Sequence, residues 1–94
     1  MIGEERQLGA LVSIGPAMLR DFELLGVRTV AQLARRNPEK MYEKLCQVTG
    51  QVQDICCLDV FRAAVAQAKN PNLPIEQRLW SQWSRKRKAS DARR

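Results

Sequence analysis

The sequence predicts an all-α domain, a compact bundle of five or six short helices, from three observations. Apolar residues recur at spacings of three and four along nearly the whole chain, which is typical of helices with one buried side. No segment shows the sustained alternation of apolar and polar residues that predicts a strand. The chain has 94 residues, the length of a single domain with a modest core.

Three short helices are predicted in the first half of the chain. The first covers 4–11, with acidic residues in its first turn, where the helix dipole favours them. The second covers 16–25. It begins with a proline, whose missing N–H matters least at that position, and a glycine follows it. The third begins after Thr29, which forms a capping box with Gln32, and ends near Arg36.

The second half predicts three further helices. Asn37 is the cap of a fourth helix that runs to about residue 48. A fifth and longest helix covers 54–68, with Asp54 as its candidate cap. Two prolines within 70–74 break it, and a last helix covers 74–84.

Positive charge is concentrated at the end of the chain. The net charge is +6, yet residues 1–80 are nearly neutral. Because 85–94 lacks the apolar content to pack, we expect a helical domain over 1–84 and a basic, disordered tail over 85–94. Such a tail attracts polyanions, or it serves only as a solvated solubility tail. The basic residues of the tail are Arg85, Lys86, Arg87, Lys88, Arg93 and Arg94.

Other function classes receive little support from the sequence. No apolar run is long enough to span a membrane and no secretory signal precedes the domain, so we expect a soluble cytoplasmic protein. The sequence has three cysteines, Cys46, Cys56 and Cys57, and no histidine. An odd number of cysteines without histidines predicts free thiols and no metal or other cofactor. Without a nucleophile motif or a phosphate loop, we expect no enzymatic activity.

Residues 13–19, SIGPAML, resemble the turn of a helix-hairpin-helix motif. A glycine lets the backbone approach a ligand, and the free N–H groups of a helix N-terminus favour an anion. Ser13 stands where the motif has its first glycine, and no basic residue directly follows the proline. The resemblance implies DNA contacts from the hairpin, with charge supplied by Arg20 and the tail. The predicted contact residues are Ile14, Gly15, Pro16, Ala17, Met18, Arg20, Arg85, Lys86, Arg87 and Lys88.

A wider resemblance covers roughly residues 8–84. Its pieces include IGP at 14–16, LGV at 25–27, NPE at 37–39, YEKLC at 42–46 and the tryptophans at 80 and 83. These are similar to small bacterial proteins of the pathogenicity-locus or mitomycin-resistance family, and more distantly to the C-terminal domain of TfoX-type competence regulators. The resemblance implies a SAM-like, polymerase-beta N-terminal-like fold and a setting in DNA repair, uptake, stress or drug resistance.

Two functions follow as expectations. The first is weak, sequence-independent binding of double-stranded DNA, because hairpin contacts position a protein without reading bases. The alternative is a protein-interaction adaptor whose degenerate hairpin does not bind DNA. A helix-turn-helix reader over 22–33 is disfavoured, since only Gln32 could reach base edges. Trp80 and Trp83 are expected to close the core or a dimer contact, and the chain could be a monomer or a homodimer.

Overall fold

A computed structural model describes residues 7–92 and confirms the all-α prediction, with no strand among these residues. A 3-10 turn over Leu8–Ala10 is followed by six α-helices. Their bounds are α1, Pro16–Leu24; α2, Val30–Ala34; α3, Pro38–Thr49; α4, Cys56–Lys69; α5, Ile75–Arg78; and α6, Trp80–Ala92. No helix in the described part of the chain is long and apolar enough to cross a bilayer.

Helix α4 is the centre of the bundle, and α2, α3, α5 and α6 pack against it. Its small residues Ala63 and Ala64 are fully buried and let neighbouring backbones come close. The ring of Phe61 lies 5.9 Å from the ring of Phe22 on α1, in a tilted arrangement favourable for aromatic pairs. Helix α1 is thereby joined to the same core, whose largest fully buried apolar residues are Phe22, Phe61, Leu25, Leu33 and Leu45.

The predicted caps hold the ends of the short helices. The Thr29 hydroxyl accepts from the Gln32 N–H at 3.1 Å, and the Gln32 side chain accepts from the Arg28 N–H at 2.8 Å. The capping box therefore forms, with its return bond one residue earlier than the motif requires. Asn37 caps α3 by accepting from the Lys40 N–H at 3.1 Å.

Three boundaries differ from the sequence prediction. Of the first predicted helix, 4–11, only Leu8–Ala10 is helical, as a 3-10 turn, and residues 1–6 lie outside the described range. Helix α4 begins at Cys56 rather than Asp54, and the Asp54 carboxylate accepts from the Cys56 N–H at 2.9 Å. The last predicted helix is two helices, since Leu79 is extended at ψ 124°.

The predicted disordered tail is replaced by helix over 85–92, while Arg93 and Arg94 lie outside the described residues. Arginine, lysine and alanine favour helix formation, so an apolar-poor segment can still be helical. Arg87 also pairs with the fully buried Asp59 of α4, with Nη2 at 3.1 Å from Oδ2. A buried carboxylate needs such a partner, and this contact ties the end of the chain to the core.

Candidate nucleic-acid interface

The hairpin between the 3-10 turn and α1 has its left-handed residue at Ser13, with φ of 73°. Ser13 is the one non-glycine with positive φ between residues 7 and 92. Glycine adopts this conformation without the Cβ clash, which accounts for the glycine that the motif has there. Gly15, by contrast, is extended at φ −108° and is the N-cap of α1. Ser13 therefore forms a left-handed turn and carries its backbone strain.

The first turn of α1 has backbone donors without a protein acceptor. Gly15 has no side chain to cap the helix, and Pro16 occupies the first helical position. Within the described residues, the N–H groups of Ala17 and Met18 therefore have no acceptor. A Cβ built on Gly15 meets no atom within 4 Å, so the space beside the hairpin is open. These donors can accommodate an anion such as a phosphate oxygen.

Gln67 of α4 holds the hairpin in place. Its Oε1 accepts from the Val12 N–H and its Nε2 donates to the Val12 carbonyl, both at 2.9 Å. Gln67 is 3% exposed and Val12 is half-buried, so the two bonds lie at the edge of the core. Ile14, predicted as a contact residue, has its side chain in the core, which leaves only its backbone for a ligand. The hairpin is consequently a fixed part of the fold.

A second anchor joins the hairpin to α6. The Ser13 hydroxyl accepts a hydrogen bond from the Trp80 N–H at 3.3 Å. Trp80 is the first residue of α6, and its N–H belongs to the donors that a helix leaves unsatisfied. The start of the basic helix therefore lies directly beside the hairpin.

The exposed cations of α6 lie farther along the helix. Arg85, Lys86 and Lys88 are all exposed, and the Lys86 ammonium lies 5.1 Å from the Trp83 ring centre. At 1.5 Å rise per residue, these cations begin roughly 8 Å beyond Trp80. The hairpin residues and the α6 cations, which together make up the predicted DNA surface, therefore lie on neighbouring elements and do not form one cluster.

Arg87 differs from the other predicted contact residues. Its Nε donates to both Asp59 carboxylate oxygens, at 3.2 and 3.1 Å, and its Nη2 adds an ion pair to Oδ2 at 3.1 Å. Asp59 is fully buried and also lies 3.9 Å from Nη1 of Arg62. Arg87 is therefore a packing residue of the core, and its inclusion with the phosphate contacts is corrected.

Arg20 remains exposed on α1, one turn after Pro16. Its neighbour Asp21 is half-buried, and burial raises the pKa of that carboxyl while the nearby Arg20 charge lowers it. The positive charge of Arg20 is thus partly balanced on its own helix. The predicted hairpin surface relies mainly on backbone donors.

The cysteines are half-buried free thiols. Hydrogen bonding to Asp54, followed by burial, raises the pKa of Cys56, and burial raises the pKa of Cys57. Both effects favour the protonated thiol, which is a poor nucleophile and metal ligand. Among the described residues, no three side chains of the metal-binding types lie together.

Asp59 and Gln67 were not singled out by the sequence. Both are polar residues on α4, the longest helix, and both lie beside buried apolar residues: Leu58 and Val60 flank Asp59, and Ala68 follows Gln67. That position is the signal that could have found them, because a polar side chain on a buried face needs a specific partner. Their partners, Arg87 and Val12, lie far away in sequence and could not be deduced from it.

The chain is similar to known proteins over most of its length. The family model described as "Cdd1: Pathogenicity locus" matches residues 3–89. The "Mitomycin resistance protein McrB" of Streptomyces lavendulae is 36% identical over 81 residues, which are 86% of this chain and 73% of the relative. No solved structure matches the chain significantly. The resemblance to TfoX-type competence regulators stays a prediction.

Proposed function

The chain belongs to the pathogenicity-locus family, and we propose that it is a non-enzymatic module that binds double-stranded DNA without sequence preference, through a helix-hairpin-helix. One observation carries the proposal. The N–H groups of Ala17 and Met18 are unpartnered within residues 7–92, beside open space and on an anchored hairpin. The name of the Streptomyces relative supports a setting in drug resistance, and we propose DNA repair or stress as the wider setting.

In this proposal the hairpin positions the protein on a phosphate. The Ala17 and Met18 N–H groups donate to phosphate oxygens, and the absence of a side chain on Gly15 lets the strand approach. Contacts of this kind carry no base information, so the binding is independent of sequence.

The attraction comes from exposed cations. Arg20 on α1 adds a phosphate contact near the hairpin, and Arg85, Lys86 and Lys88 add contacts farther away on α6. Binding of this type has dissociation constants of about 10⁻⁴ to 10⁻⁶ M at physiological salt and weakens steeply as salt rises.

Fluorescence anisotropy with two labelled duplexes of unrelated sequence tests the proposal. Both duplexes should bind with similar affinity, and log K should fall linearly with log salt. Gly15→Glu places a carboxylate beside the donors and should weaken binding several-fold. The matched control is Gln47→Glu, which adds the same charge at an exposed position on α3.

The contribution of α6 is best measured by substitution. A truncation after Ser84 would also remove Arg87, the partner of Asp59, and would confuse stability with binding. Replacing Arg85, Lys86 and Lys88 together by glutamine should reduce the salt slope by up to about 0.9 for each phosphate that is no longer neutralised. If the full chain binds neither duplex at low salt, the proposal is wrong.

A protein-interaction adaptor is the second candidate. It is favoured by a mostly apolar cavity of about 300 Å³ between α3, α4 and α6, with Pro38, Val65, Ala66 and Trp83 in its wall. A partner protein that stays bound after nuclease treatment does not depend on DNA. Ala66→Arg should abolish this binding and Gly15→Glu should leave it unchanged. That result would establish the adaptor role and separate it from DNA binding.

A further inference from the structure

A cavity of about 320 Å³ opens between the end of α1, the α2–α3 connection and the first turns of α3. Its wall contains four cationic side chains and no acidic one. We propose that this basic cavity binds the polyphosphate group of a small soluble ligand of the nucleoside triphosphate class. The lining residues are Leu25, Arg35, Arg36, Asn37, Lys40, Met41 and Lys44.

The cations converge because of where the helices end and begin. Lys40 and Lys44 are four residues apart on α3 and therefore share one side of it. Arg35 and Arg36 directly follow α2 and face the same cavity. Arg36 is steadied by a hydrogen bond from its Nη2 to the Gly26 carbonyl at 3.5 Å. Two helices and one loop thus direct four positive charges toward a single volume.

Among the described residues, none of these four cations forms an ion pair with a carboxylate. The ion pairs found there join Glu39 and Asp59 to Arg62, and Asp59 to Arg87. Glu39, although it follows Pro38 in the first turn of α3, faces α4 and not the cavity. Like charges brought together without a counter-charge repel one another, so an anion in the cavity would stabilise the fold.

The charge and shape of the cavity select the ligand class. Four cations match the three to four negative charges of a triphosphate, whereas each phosphate of a DNA strand carries one. Leu25 and Met41, 2% and 3% exposed, provide an apolar floor that a phosphodiester backbone would not use. The volume is at the lower end of the range for small-molecule sites, roughly 300–1,000 Å³.

The cavity is also separate from the hairpin. The hairpin is at the N-terminal end of α1 and Leu25 follows the C-terminal end, with nine helical residues between them. At 1.5 Å per residue this is about 13 Å along the helix. Ligand binding in the cavity therefore does not depend on the proposed DNA contacts.

Titration of the ¹⁵N-labelled full chain with ATP, pyrophosphate and AMP, followed by NMR, tests the inference. ATP and pyrophosphate should shift the amide signals of residues 35–44 in a saturable way, and AMP should bind more weakly. The double substitution Lys40→Gln and Lys44→Gln should weaken ATP binding about tenfold or more, since it removes two charge-assisted hydrogen bonds to the phosphates. The matched control, Arg28→Gln with Lys69→Gln, removes the same charge at two exposed positions outside the cavity and should change affinity less than about twofold.

Three outcomes would overturn the inference. The first is the absence of saturable shifts at millimolar ATP, with the spectrum of the folded protein intact. The second is equal weakening by the cavity and control substitutions, which would indicate general charge attraction. The third is a duplex that shifts the cavity signals while ATP does not, which would assign the cavity to DNA. Gly15→Glu should leave ATP binding unchanged, so failure of the DNA proposal is distinguishable from failure of this one.

Discussion

The Ser13 hydroxyl accepts a hydrogen bond from the Trp80 N–H at 3.3 Å, across 67 residues of sequence. The same residue holds the left-handed turn of the hairpin at φ 73°. Serine at this position thus combines a strained backbone with a cap for α6. Glycine at this position would remove both the strain and the cap. The Ser13 side chain thus links the hairpin to α6.

Substitutions at Ser13 separate these two effects. Ser13→Ala keeps the Cβ and the strain but removes the cap, and we expect a loss of about 1 kcal/mol in the free energy of unfolding. Ser13→Gly removes the cap but also relieves the left-handed strain, worth roughly 1–2 kcal/mol, and should be close to the wild type. Urea denaturation of the three proteins measures both values. An alanine variant as stable as the glycine variant would contradict the left-handed assignment.

Gln67 should be essential for the hairpin. Gln67→Leu has similar volume but removes the partner of the half-buried N–H and carbonyl of Val12, at a cost of about 1–3 kcal/mol in the free energy of unfolding. Hydrogen exchange should show faster exchange of the Val12 amide in this variant. The control Gln47→Leu, on the exposed side of α3, should change stability by less than about 0.5 kcal/mol. Unchanged protection of Val12 would show that Gln67 does not anchor the loop.

The buried ion pair makes residues 85–92 part of the domain. Arg87→Met leaves the buried Asp59 carboxylate with Arg62, at 3.9 Å, as its one ion-pair partner within residues 7–92, and we expect a loss of about 3 kcal/mol in the free energy of unfolding. The double substitution Asp59→Leu with Arg87→Met should recover most of this loss, because an apolar pair needs no charge compensation. Lys88→Met is the matched control at an exposed neighbouring position. Equal stabilities of Arg87→Met and Lys88→Met would indicate that the segment is detached.

The parts of the fold that the sequence predicts correctly depend on neighbouring residues. Pro16 starts α1, and Thr29 and Asn37 cap α2 and α3. Each signal acts within one helical turn and is therefore legible in the sequence alone. The N-terminus of α1, the centre of the candidate site, was found in the same way.

The features that were missed depend on residues far apart in the chain. The partner of Arg87 is 28 residues away, and the partner of Val12 is 55 residues away. Composition predicted a disordered tail because it counts apolar residues and cannot see a buried acid on another helix. The basic cavity likewise needs the α2–α3 turn to place two arginines opposite two lysines, which no local signal specifies.

The two neighbouring thiols of α4 should differ in how they respond to Asp54. The first cause of the raised pKa of Cys56 is its hydrogen bond to Asp54, whereas for Cys57 it is burial. Asp54→Asn removes the negative charge and retains an oxygen that can accept from the Cys56 N–H. The pKa of Cys56 should then fall toward its ordinary value, and its thiolate fraction at a given pH should rise.

Alkylation rates between pH 7 and 10, measured in variants that keep a single cysteine, test this expectation. Because the thiolate is the reactive form, Asp54→Asn should accelerate Cys56 in this range and change Cys57 much less. Glu76→Gln, at an exposed acid on α5, is the control and should leave both rates unchanged. Equal acceleration of the two thiols would mean that the negative charge of Asp54 acts on both of them at a distance. It would contradict the expectation that the hydrogen bond between Asp54 and Cys56 raises the pKa of Cys56.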